Sequence, residues 1–251
     1  NRKSAIKKDL PTVKDVKKAV EYVKNIRDRL IFKLLRDTGL RGIDARKLKI
    51  GTFRIGTFPY HKGMNIHEFI RTDPSNIVIC FDIIPEKTKK HGNNQITFAS
   101  PEVTELIFQH LREREDLGLP LDDEQPLLMS YKTHSFLSHN VFARIFSNVN
   151  DTLFNGAMVN GKRFFRAHNL RKLFRTTLKN NLQEIDQPGF NDMNVSDIIR
   201  IMCGHTPEND IEEIYDAIDI DVLREYYMQV MPKLTDKNLP VETLKSPKYL
   251  E

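Results

Sequence analysis

The chain has 251 residues, of which 39% are hydrophobic and 29% charged, and its net charge is +5. This composition is typical of a soluble globular protein with a buried core, and it excludes an intrinsically disordered chain. The mild positive charge fits a polyanionic partner without identifying one. No apolar run is long enough to cross a bilayer and no signal peptide is visible, so we expect no membrane partner.

The two cysteines, Cys80 and Cys203, are far apart in the sequence and both lie in apolar surroundings. This usage favours a reducing compartment without a disulfide framework, and we therefore expect a cytoplasmic location. Cys203 and His205 have the spacing of half a zinc site, but no second Cys/His pair has a matching spacing. The sequence therefore predicts no metal.

The first part of the chain is predicted to be a linker followed by two helices. Residues 1–10 are basic and lack periodicity, which indicates a linker from a preceding domain that this chain does not contain. Thr12 can cap a helix with apolar residues at helical spacing over 13–23. A second apolar stripe covers 26–35, and Gly39 provides its end.

The middle of the chain is predicted to contain a β-hairpin. Residues 51–75 are rich in Gly, Phe and polar residues, which indicates loop and short strand. Residues 77–84 and 95–99 are runs of β-branched and aromatic residues, which favour strands. The segment 85–94 between them is rich in turn formers and in lysine. The two strands therefore form a hairpin with a basic tip.

Everything after Ser100 is predicted to be helical. The helices expected from apolar spacing and caps cover 101–118, 138–154, 168–182, 195–203, 208–217 and 219–231. The end of the chain, 232–251, contains three prolines and is predicted to be a tail. The predicted fold class is mainly α with a small antiparallel β-sheet (α+β), and the predicted domain covers 11–231.

A few scattered polar residues carry the chemistry. Arg41 follows a predicted helix end, and His168 and Arg171 share one face at the start of another helix. His205 follows Gly204 at a helix end, and Tyr215 comes ten residues later. Arginines can neutralise phosphate oxygens, imidazoles can transfer protons, and a phenol can attack phosphorus. Each residue alone has an ordinary structural explanation, but together they are the parts needed to cut a phosphodiester.

In their order and separation these residues resemble the catalytic domain of the tyrosine recombinase (phage integrase) family, and archaeal and mobile-element integrases in particular. The segment 38–44, Thr-Gly-Leu-Arg-Gly-Ile-Asp, is similar to the first-arginine box of the family. The segment 168–177, which begins His-Asn-Leu-Arg, is similar to its His-x-x-Arg box, and 203–205 to its Leu-Gly-His box. The helix 223–227 followed by Pro232-Lys233-Leu234 is also similar.

The resemblance implies six catalytic residues, namely Arg41, Lys87, His168, Arg171, His205 and Tyr215. For the lysine on the hairpin, Lys87 fits best, and Lys89 and Lys90 remain alternatives. For the nucleophile, the family spacing after the Gly-His histidine selects Tyr215, whereas Tyr226 and Tyr227 are expected to pack within a helix.

The resemblance further implies a tyrosine recombinase fold and a site-specific recombinase that works through a 3′-phosphotyrosine intermediate. The partners would be double-stranded DNA and other copies of the chain, as a tetramer, with the tail 232–251 docking on a neighbouring protomer. The expected role is integration or excision of a virus or mobile element, on nucleoid DNA of a prokaryotic host. A small-molecule substrate is not expected, nor is any cofactor, since the chain has no Gly-rich phosphate loop.

Three other functions remain open from the sequence. The same chemistry would serve Xer-like chromosome-dimer resolution. A relative that binds DNA without catalysis is a second possibility, although the intact set of catalytic residues argues against it. The third is a metal-dependent nuclease that uses His61, His67 and Glu68, which is disfavoured because no two of these lie one helical turn apart.

Overall fold

The computed structural model describes residues 9–55, 58–59, 64–89, 94–183, 195–205 and 220–235. Within these ranges helices predominate, and the predicted fold class, mainly α with a small antiparallel sheet, is confirmed. The helices are α1 (Val13–Tyr22), α2 (Ile26–Thr38), α3 (Gly42–Arg46), α4 (Ile66–Phe69), α5 (Pro101–Asp116), α6 (His139–Leu153), α7 (Ala167–Asn181), α8 (Val195–Met202) and α9 (Ile220–Leu234). None of them is long and apolar enough to cross a membrane in this described part.

The strands form one antiparallel sheet and two short hairpins. The strands are β1 (Phe53–Ile55), β2 (Phe58–Pro59), β3 (Ile79–Ile83), β4 (Gln95–Ala99), β5 (Met129–Ser130), β6 (Ser135–Phe136), β7 (Met158–Val159) and β8 (Lys162–Arg163). The sheet has the order β2-β1-β3-β4, while β5 pairs with β6 and β7 with β8. The predicted β3–β4 hairpin is confirmed, with Phe81 opposite Thr97 in its register.

The expectation of helix alone after Ser100 is wrong, because β5–β6 and β7–β8 lie in that half of the chain. Their strands have two residues each, too few for a period-2 pattern to show. The β7–β8 turn does carry a signal. Asn160 and Gly161 both have positive φ, 49° and 71°, and Asn-Gly is the dipeptide that tight hairpin turns prefer.

The sheet separates two apolar cores. Because alternate side chains of a strand point to opposite faces, Ile79 and Phe81 pack into one core while Cys80 packs into the other. The larger core lies against α1, α2, α5 and α6. The smaller core lies between the sheet and the helices α8 and α9, with the second half of α7. Helix α7 therefore contributes to both cores, with Leu170 in the first and Phe174 in the second.

The ends of the helices follow the sequence closely. Thr12 and Asp15 form a capping box on α1, and α2 ends at Gly39, whose φ is 58°. Helix α9 continues to Leu234, past the predicted domain end at residue 231, with Pro232 in its last turn. Leu234 is fully buried in the smaller core, and this burial accounts for the extra turn. The predicted helix 208–217 lies outside the described residues.

Candidate active site

A cavity of about 910 Å³ opens between α3, α6, α7 and the β7–β8 hairpin. Five of the six predicted catalytic residues line it, namely Arg41, Lys87, His168, Arg171 and His205. They come from four separate parts of the chain, so only folding brings them together. Four more cations line the cavity, Arg46, Lys162, Arg163 and Arg166, and among the residues that the structure describes its lining contains no Asp or Glu. A cavity of this charge suits an anionic ligand.

Arg41 is held at the first helical turn after α2. Gly39 turns the chain in the left-handed region, Leu40 is buried, and Arg41 then occupies the N-cap of α3. Its Nη2 donates to the Gly204 carbonyl oxygen at 3.0 Å. Its Nη1 lies 3.8 Å from Asp44 Oδ2 and, within the described ranges, has no hydrogen-bond partner. This nitrogen is buried beside the Asp44 carboxylate, which helps to hold the guanidinium in place.

Arg171, on α7, is more deeply buried than Arg41 and is almost fully buried. Its Nη1 donates to the Gly39 carbonyl oxygen at 2.5 Å, and its Nη2 donates to that of Cys203. Burial lowers the pKa of Arg171 to about 10, and the Arg41 charge lowers it as well, so the guanidinium stays protonated at neutral pH. The two arginines thus donate to the carbonyls of consecutive residues, 204 and 203, and are close enough for the charge of Arg41 to act on Arg171.

The loop after α8 is shaped by Gly204. Its φ is 55°, and a Cβ at this position would lie 2.7 Å from Oε1 of the buried Gln95. Gln95 in turn donates through Nε2 to the Met202 carbonyl at 2.8 Å. Residue 204 must therefore be a glycine, because its φ is positive and because Gln95 leaves no room for a Cβ. Through Gln95, β4 also fixes the loop that carries His205.

Two of the three histidines that line the cavity, His168 and His205, have a lowered pKa and are therefore mainly neutral at pH 7. Burial lowers the pKa of His205 to about 4, and the charges of Arg171, Arg175 and Arg41 lower it further. The pKa of His168, which is exposed, is also lowered, by partial burial and then by neighbouring cations such as Arg166. A bound anion would offset these positive charges and favour the protonated imidazoles.

Lys87 reaches the cavity from the β3–β4 connection and is exposed. The turn that carries it is tied to the first-arginine segment, because the Glu86 amide donates to Asp44 Oδ1 at 2.9 Å and Lys47 pairs with Glu86 at 2.9 Å. Lys89 is not part of the cavity lining, and Lys90 lies outside the described residues. The assignment of Lys87 as the acid stays a prediction.

The predicted nucleophile, Tyr215, lies outside the described residues, so its assignment also stays a prediction. Both competing tyrosines of α9 are buried. Tyr226 is 4% exposed and Tyr227 is 0% exposed, with the Tyr227 ring 5.5 Å from that of Phe98. Burial also raises the pKa of Tyr227 well above its usual value. Their predicted role as packing residues is confirmed.

The residues considered for metal binding have other partners. His67 Nδ1 lies 2.6 Å from Glu115 Oε1, and Glu68 forms a capping box with Asn65 on α4. His61 lies outside the described residues. Burial raises the pKa of the Cys203 thiol to about 11, against the thiolate that a metal would need. Across the ranges that the structure describes, no group of three or more His, Cys, Asp or Glu could hold a metal ion.

The additional cations of the cavity were not predicted from the sequence. Arg46 is in the last turn of α3, Arg166 is the N-cap of α7, and Lys162 and Arg163 form β8. One sequence feature could have drawn attention to three of them, Lys162, Arg163 and Arg166. Between Asp151 and Glu184 the chain has no acidic residue.

Comparison with known proteins gives a likeness of fold. The sequence matches no family profile and no curated protein. Among solved structures, XerA recombinase is similar over 91% of this chain and 65% of that one, with 17% identity and a TM-score of 0.50. XerH site-specific recombinase bound to difH substrate, in a pre-cleavage complex, is similar over 87% of this chain and 50% of that one, with 18% identity and a TM-score of 0.49.

This chain thus spans less than two thirds of the length of either of these recombinases. It shares with XerA the predicted tyrosine recombinase catalytic-domain fold, which is thereby confirmed. Fold likeness alone does not assign an activity.

Proposed function

We propose that this protein is a tyrosine recombinase that cleaves and rejoins double-stranded DNA at specific sites, through a covalent 3′-phosphotyrosine intermediate. The observation that carries the proposal is the pair Arg41 and Arg171, which donate to the carbonyls of residues 204 and 203. They share a cavity with Lys87, His168 and His205, and the described part of its lining has no acidic residue. The fold shared with XerA recombinase supports it.

The two arginines would bind the non-bridging oxygens of the scissile phosphate. A guanidinium has five N–H donors, and the backbone carbonyls occupy one of Arg41 and two of Arg171. The remaining donors are already oriented, so they can stabilise the extra negative charge of the pentacoordinate transition state without reorganising. His205 would donate a further hydrogen bond to the same oxygens.

The proton transfers would fall to the other residues. The Tyr215 hydroxyl would attack phosphorus and form the phosphotyrosine ester, and His168, neutral at pH 7, could accept its proton. Lys87 would donate a proton to the departing 5′ oxygen. Because the ester retains the energy of the phosphodiester bond, the reverse reaction can rejoin the strand, and ATP and metal ions would not be needed.

Protein variants that test this chemistry are best assayed for cleavage of a nicked suicide duplex that contains the recombination site. The covalent protein–DNA adducts are resolved on a denaturing gel. Arg41→Ala should lower the cleavage rate about 10²- to 10³-fold, as loss of one oxyanion donor does elsewhere. Arg71→Ala is the matched control, since Arg71 is exposed and pairs with Glu115. An Arg41→Ala rate equal to the control would overturn the mechanism.

The nucleophile is tested in the same assay. Tyr215→Phe should abolish the covalent adduct, and Tyr226→Phe should retain it, because Tyr226 is buried in α9. An adduct in the Tyr215→Phe protein would disprove that assignment. Retention of wild-type cleavage in EDTA is expected, and its loss would instead support a metal-dependent nuclease. DNA binding without any cleavage would support an inactive relative.

On biological role, we propose integration or excision of a virus or mobile element in a prokaryotic cytoplasm, with chromosome-dimer resolution as the alternative. The resemblance of 223–227 and 232–234 to integrases supports the first, and the fold shared with XerA supports the second. Protomers would act as a tetramer on two DNA sites. Sequencing of DNA bound in the source cell would distinguish attachment sites of a mobile element from a chromosomal terminus site.

A further inference from the structure

The β7–β8 hairpin, residues 158–163, lines the cavity beside the catalytic residues but belongs to none of the motifs discussed above. Met158, Gly161, Lys162 and Arg163 all contribute to the cavity wall. Met158 is 52% exposed, and Lys162 and Arg163 are also exposed. A charged, exposed hairpin next to an anion site is a candidate contact surface for the same ligand.

The hairpin is held rigidly at its base. The Phe165 amide donates to Oδ1 of the buried Asn150 at 2.8 Å, and the Phe165 ring stacks on that of Phe154 at 5.2 Å. On the other side, Asn169 Nδ2 donates to the Phe164 carbonyl at 2.8 Å. These contacts fix the hairpin to α6 and to the start of α7, and so to His168 and Arg171. Its cations are therefore positioned before any ligand arrives.

The cations of this region have few internal partners. In the described part of the chain, Lys162 makes no ion pair, and the buried Nε of Arg166 has no hydrogen-bond partner. Arg163 pairs only loosely with Asp151, at 3.7 Å and with both side chains half exposed. Exposed pairs of this kind contribute little to stability, so Arg163 can exchange Asp151 for another anion.

The sequence around the hairpin reinforces this charge. The acid-free stretch between Asp151 and Glu184 has seven cations, Lys162, Arg163, Arg166, Arg171, Lys172, Arg175 and Lys179. Acidic residues normally alternate with basic ones on a protein surface, whereas a single-sign field favours a polyanion. The part of this stretch that faces the cavity is the hairpin and the first turn of α7.

We propose that the β7–β8 hairpin is a clamp for the DNA backbone, in which Lys162 and Arg163 bind phosphates that flank the scissile phosphate. This inference rests on the proposed function, since the scissile phosphate is the one placed between Arg41 and Arg171. The clamp contacts backbone and not base edges, so it sets affinity and register for any sequence. Arg166, at the N-cap of α7, lies between the clamp and the catalytic residues.

Salt dependence tests the clamp directly, because each phosphate contact releases counterions. Binding to a labelled mixed-sequence duplex of about 30 base pairs would be followed by anisotropy between roughly 50 and 200 mM KCl. Lys162→Gln should reduce the slope of log K against log[KCl] by about 0.9, and Lys162→Gln/Arg163→Gln by about 1.8. The exchange Lys162→Arg/Arg163→Lys, which keeps both charges, should leave the slope unchanged.

The matched control is Lys179→Gln. Lys179 belongs to the same acid-free stretch, is exposed in the last turn of α7 and does not line the cavity. The salt dependence of DNA binding by Lys179→Gln should therefore equal that of the wild type. The clamp proposal would be overturned if Lys162→Gln/Arg163→Gln kept the wild-type slope, or if Lys179→Gln reduced the slope by the same amount. Either result would leave the recombinase proposal intact. Failure of the wild-type protein to bind duplex DNA would overturn both. Thermal unfolding of each variant checks that the fold is retained.

Discussion

At the scale of single residues, the site depends on side chains whose ordinary charge state has been altered or fixed by burial. Arg171 is buried yet charged, because two backbone carbonyls accept from its guanidinium. Removing it would leave those carbonyls of Gly39 and Cys203 without that donor. A loss of activity in Arg171→Ala would therefore combine a catalytic and a structural effect, which makes the partly exposed Arg41 the cleaner probe.

His110 is the residue from which we expect the clearest pH dependence of stability. It is fully buried on α5, with Nε2 3.1 Å from the Leu127 carbonyl oxygen and Nδ1 3.2 Å from the Tyr131 hydroxyl. Burial lowers the pKa of His110 to about 3, and the charge of Arg114 lowers it further. The folded state therefore binds a proton less readily than the unfolded state.

Its contribution to stability is complete above the unfolded pKa of about 6.5 and is lost as the pH falls from there towards 3. Between about pH 7 and pH 5 this linkage amounts to roughly 2 kcal/mol of unfolding free energy. Urea unfolding at both pH values should give this loss in the wild type and a clearly smaller one in His110→Gln. The same loss in both proteins would assign the effect to other groups.

At the scale of elements, the site depends on how one helix or strand ends against another. The turn after α2 and the turn after α8 both contain a glycine with positive φ, and Arg171 bridges these two turns. The β3–β4 hairpin joins them through Gln95 at Gly204 and through Glu86 at Asp44. Arg41, Arg171 and the loop of His205 are therefore each positioned by an element other than their own.

Gly39→Ala should damage both stability and the site. A Cβ at Gly39 would lie 2.1 Å from Cδ1 of the buried Phe174, and the φ of 58° disfavours any side chain. The matched control is Gly118→Ala, where φ is 67° but nothing lies within 4 Å of the added Cβ.

We expect the control to lose about 1 kcal/mol from conformation alone, and Gly39→Ala to lose about 1–3 kcal/mol more from overpacking. Chemical denaturation measures both changes. Equal losses would mean that Phe174 moves aside freely, and that the close contact does not define the turn.

At the scale of the whole molecule, two cores share α7 and the sheet, and the cavity of the candidate site opens where α3, α6 and α7 meet. Helix α9, near the end of the chain, packs on the smaller core. Its last residue, Leu234, is fully buried, and Thr235 is nearly so. The folded domain therefore needs the chain as far as Thr235.

Two truncations separate folding from assembly. A chain that ends at Thr235 should unfold at the same denaturant concentration as the full chain, because it keeps all buried residues of α9. A chain that ends at Pro232 loses Leu234 and should be less stable by about 2 kcal/mol or more.

If the tail docks on a neighbouring protomer, as the family resemblance implies, the chain that ends at Thr235 should bind DNA but form fewer multi-protomer complexes in sedimentation analysis. Undiminished assembly would show that residues 236–251 are not the docking segment.

The sequence by itself determined the local structure and the identity of most candidate residues. Helical spacing and caps located α1, α2 and α5, β-branched runs located β3 and β4, and Gly39 marked a helix end. These features depend on interactions between near neighbours, which a sequence displays directly. The resemblance at residues 38–44 and 168–177 then identified Arg41 and Arg171 as a pair.

Only the tertiary structure decided what surrounds that pair. The carbonyls that orient Arg171 and the contact of Gln95 with Gly204 join residues distant in sequence. The hairpin that carries Lys162 and Arg163 is built from strands of only two residues. Such contacts depend on packing, and neither periodicity nor propensity encodes which distant backbone atom a side chain will meet. The candidate residues were thus visible in the sequence, whereas the surface around them could be seen only in the folded chain.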